Sequence, residues 1–556
     1  MHPRSILPVL PYLLLASTPA TAQRMERDYA RSPVLARQGI AATSQTLASQ
    51  AAAQILAKGG SAVDAAITAN AVLGVVEPMM CGIGGDLFVL YWDAKSQKLI
   101  GLNASGWSPK ALTRELLESR KLKTMPSSGI LSTTVPGTVD GWHRMHQRYG
   151  KLPWKSLFTE AVRYAEEGFP VHEIVSSGWD VNTISKTEES KRVFLPGGKA
   201  PQAGDIFRNP DLGRALRLIA EQGPDAFYKG DIAKAILRTS QKLGGVMEAS
   251  DLAEFASEFV EPIHSDYRGW RVYELPPNGQ GMAALQMLNM MEISAASPAG
   301  PHSPAEMHKK IEAMKLAYGD LESYIADPRF AKLPVAGMLS KTYARQRASL
   351  IDPQKANCTM KPGEPPASDT TYLATVDREG NIASWIQSVS SIFGSGVGVE
   401  GMGFHLHNRG AGFKLDPKHP NVLAGRKRPF HTIIPAFLEK GDVRIGFGIM
   451  GGSNQPLAHA QFVSNIVDYG MNIQAALETA RFTKRNRGGC DVQIESRAGL
   501  ATIEALSGLG HQVNVRKAHS PAMGRGNAVL HDASRKLNQG ASDSRADGAA
   551  IPASLE

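Results

Sequence analysis

The stretch Asp369-Thr370-Thr371-Tyr372-Leu373-Ala374-Thr375-Val376-Asp377-Arg378-Glu379-Gly380-Asn381 carries a strand-forming run and a turn, and a second run, Ile382 to Val389, follows it. β-branched and aromatic residues dominate both runs, and Asp377 to Asn381 is rich in turn residues, so the pattern predicts a β-hairpin. Immediately upstream, Lys361-Pro-Gly-Glu-Pro-Pro-Ala-Ser-Asp369 cannot be regular helix or central strand and predicts an exposed loop, a place open to cutting. Thr370 therefore sits where a loop enters a strand.

N-terminal to the hairpin, Leu47 to Val76 alternates alanine-rich apolar positions with polar ones at helical spacing. Lys58-Gly59-Gly60 breaks the pattern and Ser61 restarts it, which predicts two helices joined at a glycine C-cap. Cys81-Gly-Ile-Gly-Gly-Asp86 then predicts a turn feeding a buried strand, Leu87 to Tyr91. From about Pro153 to Met360 the pattern predicts mixed helix and loop, with Pro276-Pro-Asn-Gly-Gln-Gly281 ahead of a helical run from Met282 to Met291. Glycine-rich loops are expected at Phe393 to Gly403 and Phe447 to Gly452, and an alanine-rich helix from Asn472 to Arg481.

Composition narrows the function classes. With 42% hydrophobic and 20% charged residues among 556, the chain has the makeup of a globular protein with ample core. The net charge of +9 comes from 61 basic and 52 acidic residues without a sustained basic run, which argues against a nucleic-acid partner. Residues 1–22 read as a secretory signal: Arg4 precedes the apolar stretch Ile6 to Ala16, and Ala20-Thr21-Ala22 offers small residues for cleavage before Gln23. No later stretch has the ~20 uninterrupted apolar residues of a membrane helix, so a released, periplasmic or secreted protein without a membrane anchor is expected. Cys81, Cys358 and Cys490 are widely spaced and odd in number, which speaks against a disulfide scaffold and fits no zinc site. The glycines at 82, 84 and 85 lack the third glycine of a dinucleotide fingerprint, position 87 being leucine; no cofactor is expected. His405 and His407 alternate along one run and read as packing or surface residues rather than as metal ligands.

A threonine hydroxyl is a weak nucleophile until a base takes its proton, and the α-amine of the same residue can do so once the peptide bond before it is broken. Such an amine titrates at about 7.7–8.0, whereas an amide nitrogen is never a base. A cut between Asp369 and Thr370 would thus create the catalyst.

The segment Asp369 to Asn381, followed by Phe393-Gly-Ser-Gly396, resembles the autocleavage and nucleophile segment of gamma-glutamyltransferases. The likeness extends through Gly60-Ser-Ala-Val-Asp-Ala-Ala66, Gly82-Ile-Gly-Gly85, Val135-Pro-Gly-Thr138, Pro276 to Gly281, Gly510-His511 and Gly540-Ala-Ser-Asp-Ser-Arg545. The resemblance implies an αββα sandwich of the N-terminal-nucleophile hydrolase type, formed by a large subunit (23–369) and a small subunit (370–556) cut from one precursor and remaining together as a heterodimer. It also implies an acyl-enzyme on Thr370, a second hydroxyl beside it on Thr371, and backbone oxyanion donors at Gly451 and Gly452. Gly380-Asn381 matches the family's hairpin turn.

The chain departs from the family where the substrate is held. The family's carboxylate for the substrate α-ammonium falls on Gly412, a neighbouring glutamine on Arg409, and the arginine for the α-carboxylate on Ser105. The hydroxyl-and-amide pair becomes Ser388 and Ser390, and the serine pair after Arg-Pro becomes His431 and Thr432. A buried ammonium without its carboxylate costs several kcal/mol, and an inward Arg409 would add repulsion. Three functions follow as expectations: hydrolysis of γ-glutamyl compounds such as glutathione; acylase activity on dicarboxylic, glutaryl-type amides without an α-amine, as in cephalosporin acylases; or a silent binding protein on the same scaffold. Arg409 either faces the small-molecule pocket, where it would pair with a carboxylate, or points to solvent.

Overall fold

The computed structural model describes residues 29–359, 369–486 and 488–553; the signal-like segment and the loop expected at 361–368 lie outside these. The hairpin forms as its composition requires, Asp369–Val376 against Ile382–Ser390, with Asp377 accepting the backbone N–H of Asn381 at the turn. It is the centre of a seven-stranded antiparallel sheet in the order Ala549–Pro552, Ile40–Thr43, Asp369–Val376, Ile382–Ser390, Asp86–Asp93, Lys98–Ala104, Glu258–Val260. A second seven-stranded antiparallel sheet lies against it: Val34–Ala36, Leu537–Ser542, Gly526–Asp532, Val443–Ile449, Ala436–Lys440, Trp270–Glu274, Ile263–Tyr267.

Side chains alternate faces along a strand, so each central strand feeds two cores. Phe88, Leu90, Trp92, Tyr372, Ala374 and Val376 point between the sheets and meet Leu275, Phe437 and Val529. Leu87, Val89, Tyr91 and Leu373 point the other way, onto the helical layer built on Thr46–Ala57 and Ala62–Val76. The second sheet buries its outer face under Gly281–Met291, Pro304–Tyr324 and Gln455–Val467. Every residue of Ile382–Ser390 is buried, the polar Ser384, Gln387, Ser388 and Ser390 included, because the strand is covered on both faces.

The helix pair starts and stops where the caps say. Ser61 accepts the N–H of Asp64, whose carboxylate accepts the N–H of Ser61 in return, and Gly59 at φ 84° turns the chain between the helices. Two expectations need correction. The alanine-rich helix covers only Ile473–Glu478, with Asn472 as its N-cap, because Arg481 turns away to bind Asp543. The middle of the chain also contributes the strands Glu258–Val260, Ile263–Tyr267 and Trp270–Glu274, which close both sheets. They are edge or near-edge strands with charged side chains, so their composition does not advertise them. The cysteines need correcting too: Cys358 and Cys490, 132 positions apart, are joined by a disulfide with Cα atoms 4.9 Å apart, and Cys81 is a buried thiol. Sequence spacing says nothing about that distance once the chain has folded back on itself.

Asn70 ties the helical layer to the hairpin: its side-chain oxygen accepts Trp142 Nε1–H at 2.8 Å and Trp385 Nε1–H at 3.0 Å, all three residues being buried. Asn70→Ala would orphan two indole donors, and chemical denaturation is expected to show a loss of about 2–5 kcal/mol.

Candidate active site

The register shifts inside the hairpin. Asp369 pairs with Ser390 but Thr371 pairs with Gln387, so Thr370 alone faces Ser388 and Val389. This is a β-bulge, a device that bends a strand and re-aims its side chains. Ser390 completes it at φ 80°, with its N–H donating to Ser388 Oγ at 2.7 Å. Thr370 is wholly buried, and its hydroxyl lies 3.5 Å from Ser388 Oγ and 3.5 Å from Gln455 Nε2. In this uncut chain its nitrogen is an amide.

Arg409 comes to the same place from the short helix Arg409–Gly412. It is 3% exposed, and the solvent-facing alternative is excluded. Its guanidinium donates to Thr432 Oγ1 at 2.7 Å and to Ser388 Oγ at 3.4 Å, which puts a cation one hydroxyl away from Thr370. Burial lowers its pKa to about 10, with Asp86 opposing, so it stays charged at neutral pH. The counter-charge is Asp86, at the end of the Gly82–Gly85 turn, 3.8 Å from Arg409 Nε. Its carboxylate also takes the N–H of Gly106 at 2.8 Å, His431 Nε2 at 2.8 Å and His407 Nδ1 at 3.2 Å. Burial works against this carboxylate, but the contacts with His407 and His431 overcome it and hold it well below the usual range. His431 is pulled down to about 3 by burial and by Arg409. The backbone N–H of Ile433 donates to His431 Nδ1 at 3.3 Å, so Nε2 carries the proton that reaches Asp86.

Two motif residues staple these loops together. Gln280 donates to the carbonyls of Thr432 at 2.5 Å and Gly452 at 2.8 Å, while Asn278 donates to that of Pro429 at 2.7 Å. Gly451 (φ 129°) and Gly452 (φ 58°) make the turn between Val443–Ile449 and the helix that begins at Gln455. That backbone needs glycine. Ser105 is buried and hydrogen-bonded to Asn103, while Gly412 offers only its carbonyl, to Asn421. His405 and His407 diverge: His405 bonds Ser190, and His407 Nε2 reaches the carbonyl of Thr134. Among the described residues one group could hold a metal, His308, Glu312 and His511, but the Lys315 ammonium already donates to Glu312 at 2.7 Å.

Three residues around the site escape sequence reasoning. Asp86 and Gln455 carry no motif signal of their own. Glu77, just past the helix Ala62–Val76, accepts Ser44 Oγ–H at 2.6 Å and Thr371 Oγ1–H at 3.0 Å on the helical side of the sheet. Burial raises its pKa, so the pair of hydroxyls faces a carboxyl that resists ionising.

Two facing antiparallel sheets flanked by helices define the class: the chain has the αββα fold of N-terminal-nucleophile hydrolases and is an enzyme of that type. It belongs to the gamma-glutamyltranspeptidase family, whose sequence model matches residues 48–553. It is 37% identical over 512 residues to the glutathione hydrolase-like YwrD proenzyme of Bacillus subtilis, covering 91% of this chain and 96% of that protein. With the oxamate amidohydrolase proenzyme of Klebsiella pneumoniae it shares 33% identity, over 92% of this chain and 98% of the relative. The crystal structure of a cephalosporin acylase from Bacillus halodurans superposes with a TM-score of 0.89 at 39% identity, covering 97% and 100% of the two chains. Membership in an enzyme family sets aside the silent binding protein.

Two outcomes are expected of this geometry. Glu77→Ala leaves the Ser44 and Thr371 hydroxyls only each other, one of them without an acceptor, and should cost about 1–3 kcal/mol in denaturant titrations, whereas Glu77→Gln, which keeps an acceptor oxygen, should cost less. His405, His431 and His459 are each pulled from 6.5 to about 3, chiefly by burial. The unfolded chain therefore binds protons that the folded chain refuses, and melting temperature should fall as pH drops through the window from about 6.5 to about 3.

Proposed function

We propose that the chain is a self-processing amide hydrolase that cuts its own Asp369–Thr370 bond and then forms an acyl-enzyme on Thr370, with an acyl group that bears a carboxylate and no α-amine. The freed α-amine of Thr370 takes the hydroxyl proton as oxygen attacks the amide carbonyl. The backbone N–H groups of Gly451 and Gly452 receive the negative charge that develops on the carbonyl oxygen. Collapse breaks the C–N bond, the amine leaves with the proton, and water, activated by the same α-amine, releases the acid. Residues 23–369 and 370–556 stay together as the two subunits.

Buried Arg409 carries the substrate reading. Its guanidinium, fixed by Thr432 and Ser388 beside Thr370, is placed to pair with a carboxylate and to repel an ammonium. Gly412 supplies no side-chain carboxylate to compensate an α-ammonium. Two relatives support this reading by what their names say they act on: cephalosporins and oxamate, the latter a carboxylate-bearing amide without an α-amine. The glutathione hydrolase-like relative favours the γ-glutamyl alternative, in which Arg409 would take the α-carboxylate. The signal-like residues 1–22 and the Cys358–Cys490 disulfide, a bond that persists in oxidising compartments, support export.

Glutaryl-p-nitroanilide and γ-glutamyl-p-nitroanilide separate the two substrate readings. The glutaryl compound should have the higher kcat/KM, and Arg409→Ala should reduce it about 10- to 100-fold; faster turnover of the γ-glutamyl compound would refute the role given to Arg409. With an α-amine as base, kcat/KM should rise with pH to a plateau above about 8.

A further inference from the structure

The disulfide spans the proposed cut. Cys358 lies before Thr370, and Cys490 lies after it. We infer that Cys358–Cys490 is an inter-subunit cross-link: once the Asp369–Thr370 bond is broken, the large and small subunits remain one covalent molecule. The inference rests on the self-cleavage proposed above. It requires no oxidation step, because the S–S bond is present in the uncut chain; hydrolysis of one peptide bond turns an internal loop into a bridge between two chains.

The surroundings of the bond fit an anchor for the end of the large subunit. Ala356 donates its N–H to the carbonyl of Leu509 at 2.8 Å, pairing the last turn before Cys358 with the segment after the helix Leu500–Gly508. Asn357 is held from both sides, its N–H by Glu312 Oε2 at 3.3 Å and its carbonyl by Lys315 Nζ at 2.8 Å. The Lys315 ammonium also lies 3.9 Å from Cys490 Sγ. His308 and His511, whose ring nitrogens are 2.8 Å apart, close the same group of buried side chains across the proposed subunit boundary. Ala356 and Cys358 are therefore fixed to what becomes the other subunit, and Asn357 between them to Glu312 and Lys315 of its own, independently of the strand that leads into Thr370. A covalent bridge also holds the partners at high effective concentration, so dilution cannot separate them.

Purified wild-type enzyme, its free thiols alkylated at lysis, tests the inference on denaturing gels run with and without dithiothreitol. One full-length band without reductant and two with it are expected; Cys358→Ser and Cys490→Ser should each give two bands in both lanes. Two wild-type bands without reductant would overturn the cross-link while leaving the cleavage intact. One wild-type band in both lanes would overturn the cleavage, and the bridge with it. Peptide mapping of the uncut Thr370→Ala chain then reads the bond by itself: a linked Cys358–Cys490 peptide is expected, and finding both thiols free would overturn the disulfide whatever the cleavage result.

Discussion

One residue facing two is the constraint on which the site depends. An unbroken ladder would keep Thr370 in strict alternation with Thr371 and Tyr372; the extra residue on the opposing strand frees it to face Ser388 and Gln455 instead, and Ser388 in turn accepts from Arg409. The bulge holds because its surroundings are over-determined. Gln387 is bound to Gly82 and Thr138, Ser388 to the N–H of Ser390, and Thr371 to Ser44 and Glu77, so the strands cannot slip to a regular register without breaking several buried bonds. The two layers of helices supply the other half of that restraint by filling both outer faces.

Electrostatics then set what the site can hold. An isolated guanidinium at this depth would be costly, and Arg409 survives because Asp86 lies beneath it. Asp86 is itself shared among Gly106, His407 and His431, so its charge is spread over three partners besides Arg409. Under the proposed function that cation favours a carboxylate over an ammonium, and a few side chains set the substrate class.

Much of this was legible in the residues. The hairpin, the Ser61 cap and the glycine turn after Val443–Ile449 follow from local propensity, because each is decided by a few neighbouring residues. Comparison with the family motifs pointed to Thr370, Arg409, His431 and Thr432, which the fold brings together around Ser388 and Asp86. What stayed hidden depends on distant segments meeting. Asp86 reads as the end of a turn and becomes a counter-ion only when residues 407–431 fold over it; Glu77 reads as the polar residue after a helix and acquires its partners from Ser44 and Thr371. The orientation of Arg409 was open for the same reason, and so was the pairing of Cys358 with Cys490. The strands from Glu258 to Glu274 escaped because edge strands need little apolar surface.

In the proposed reaction Thr370 becomes a free N-terminus and carries the acyl group. Mixing the enzyme with a glutaryl amide, quenching in acid within one turnover and mapping the small fragment by mass spectrometry tests it directly. The expected fragment begins at Thr370 and bears one glutaryl group, as an ester on the Thr370 hydroxyl. A fragment beginning elsewhere, or an adduct on any other residue, would contradict it.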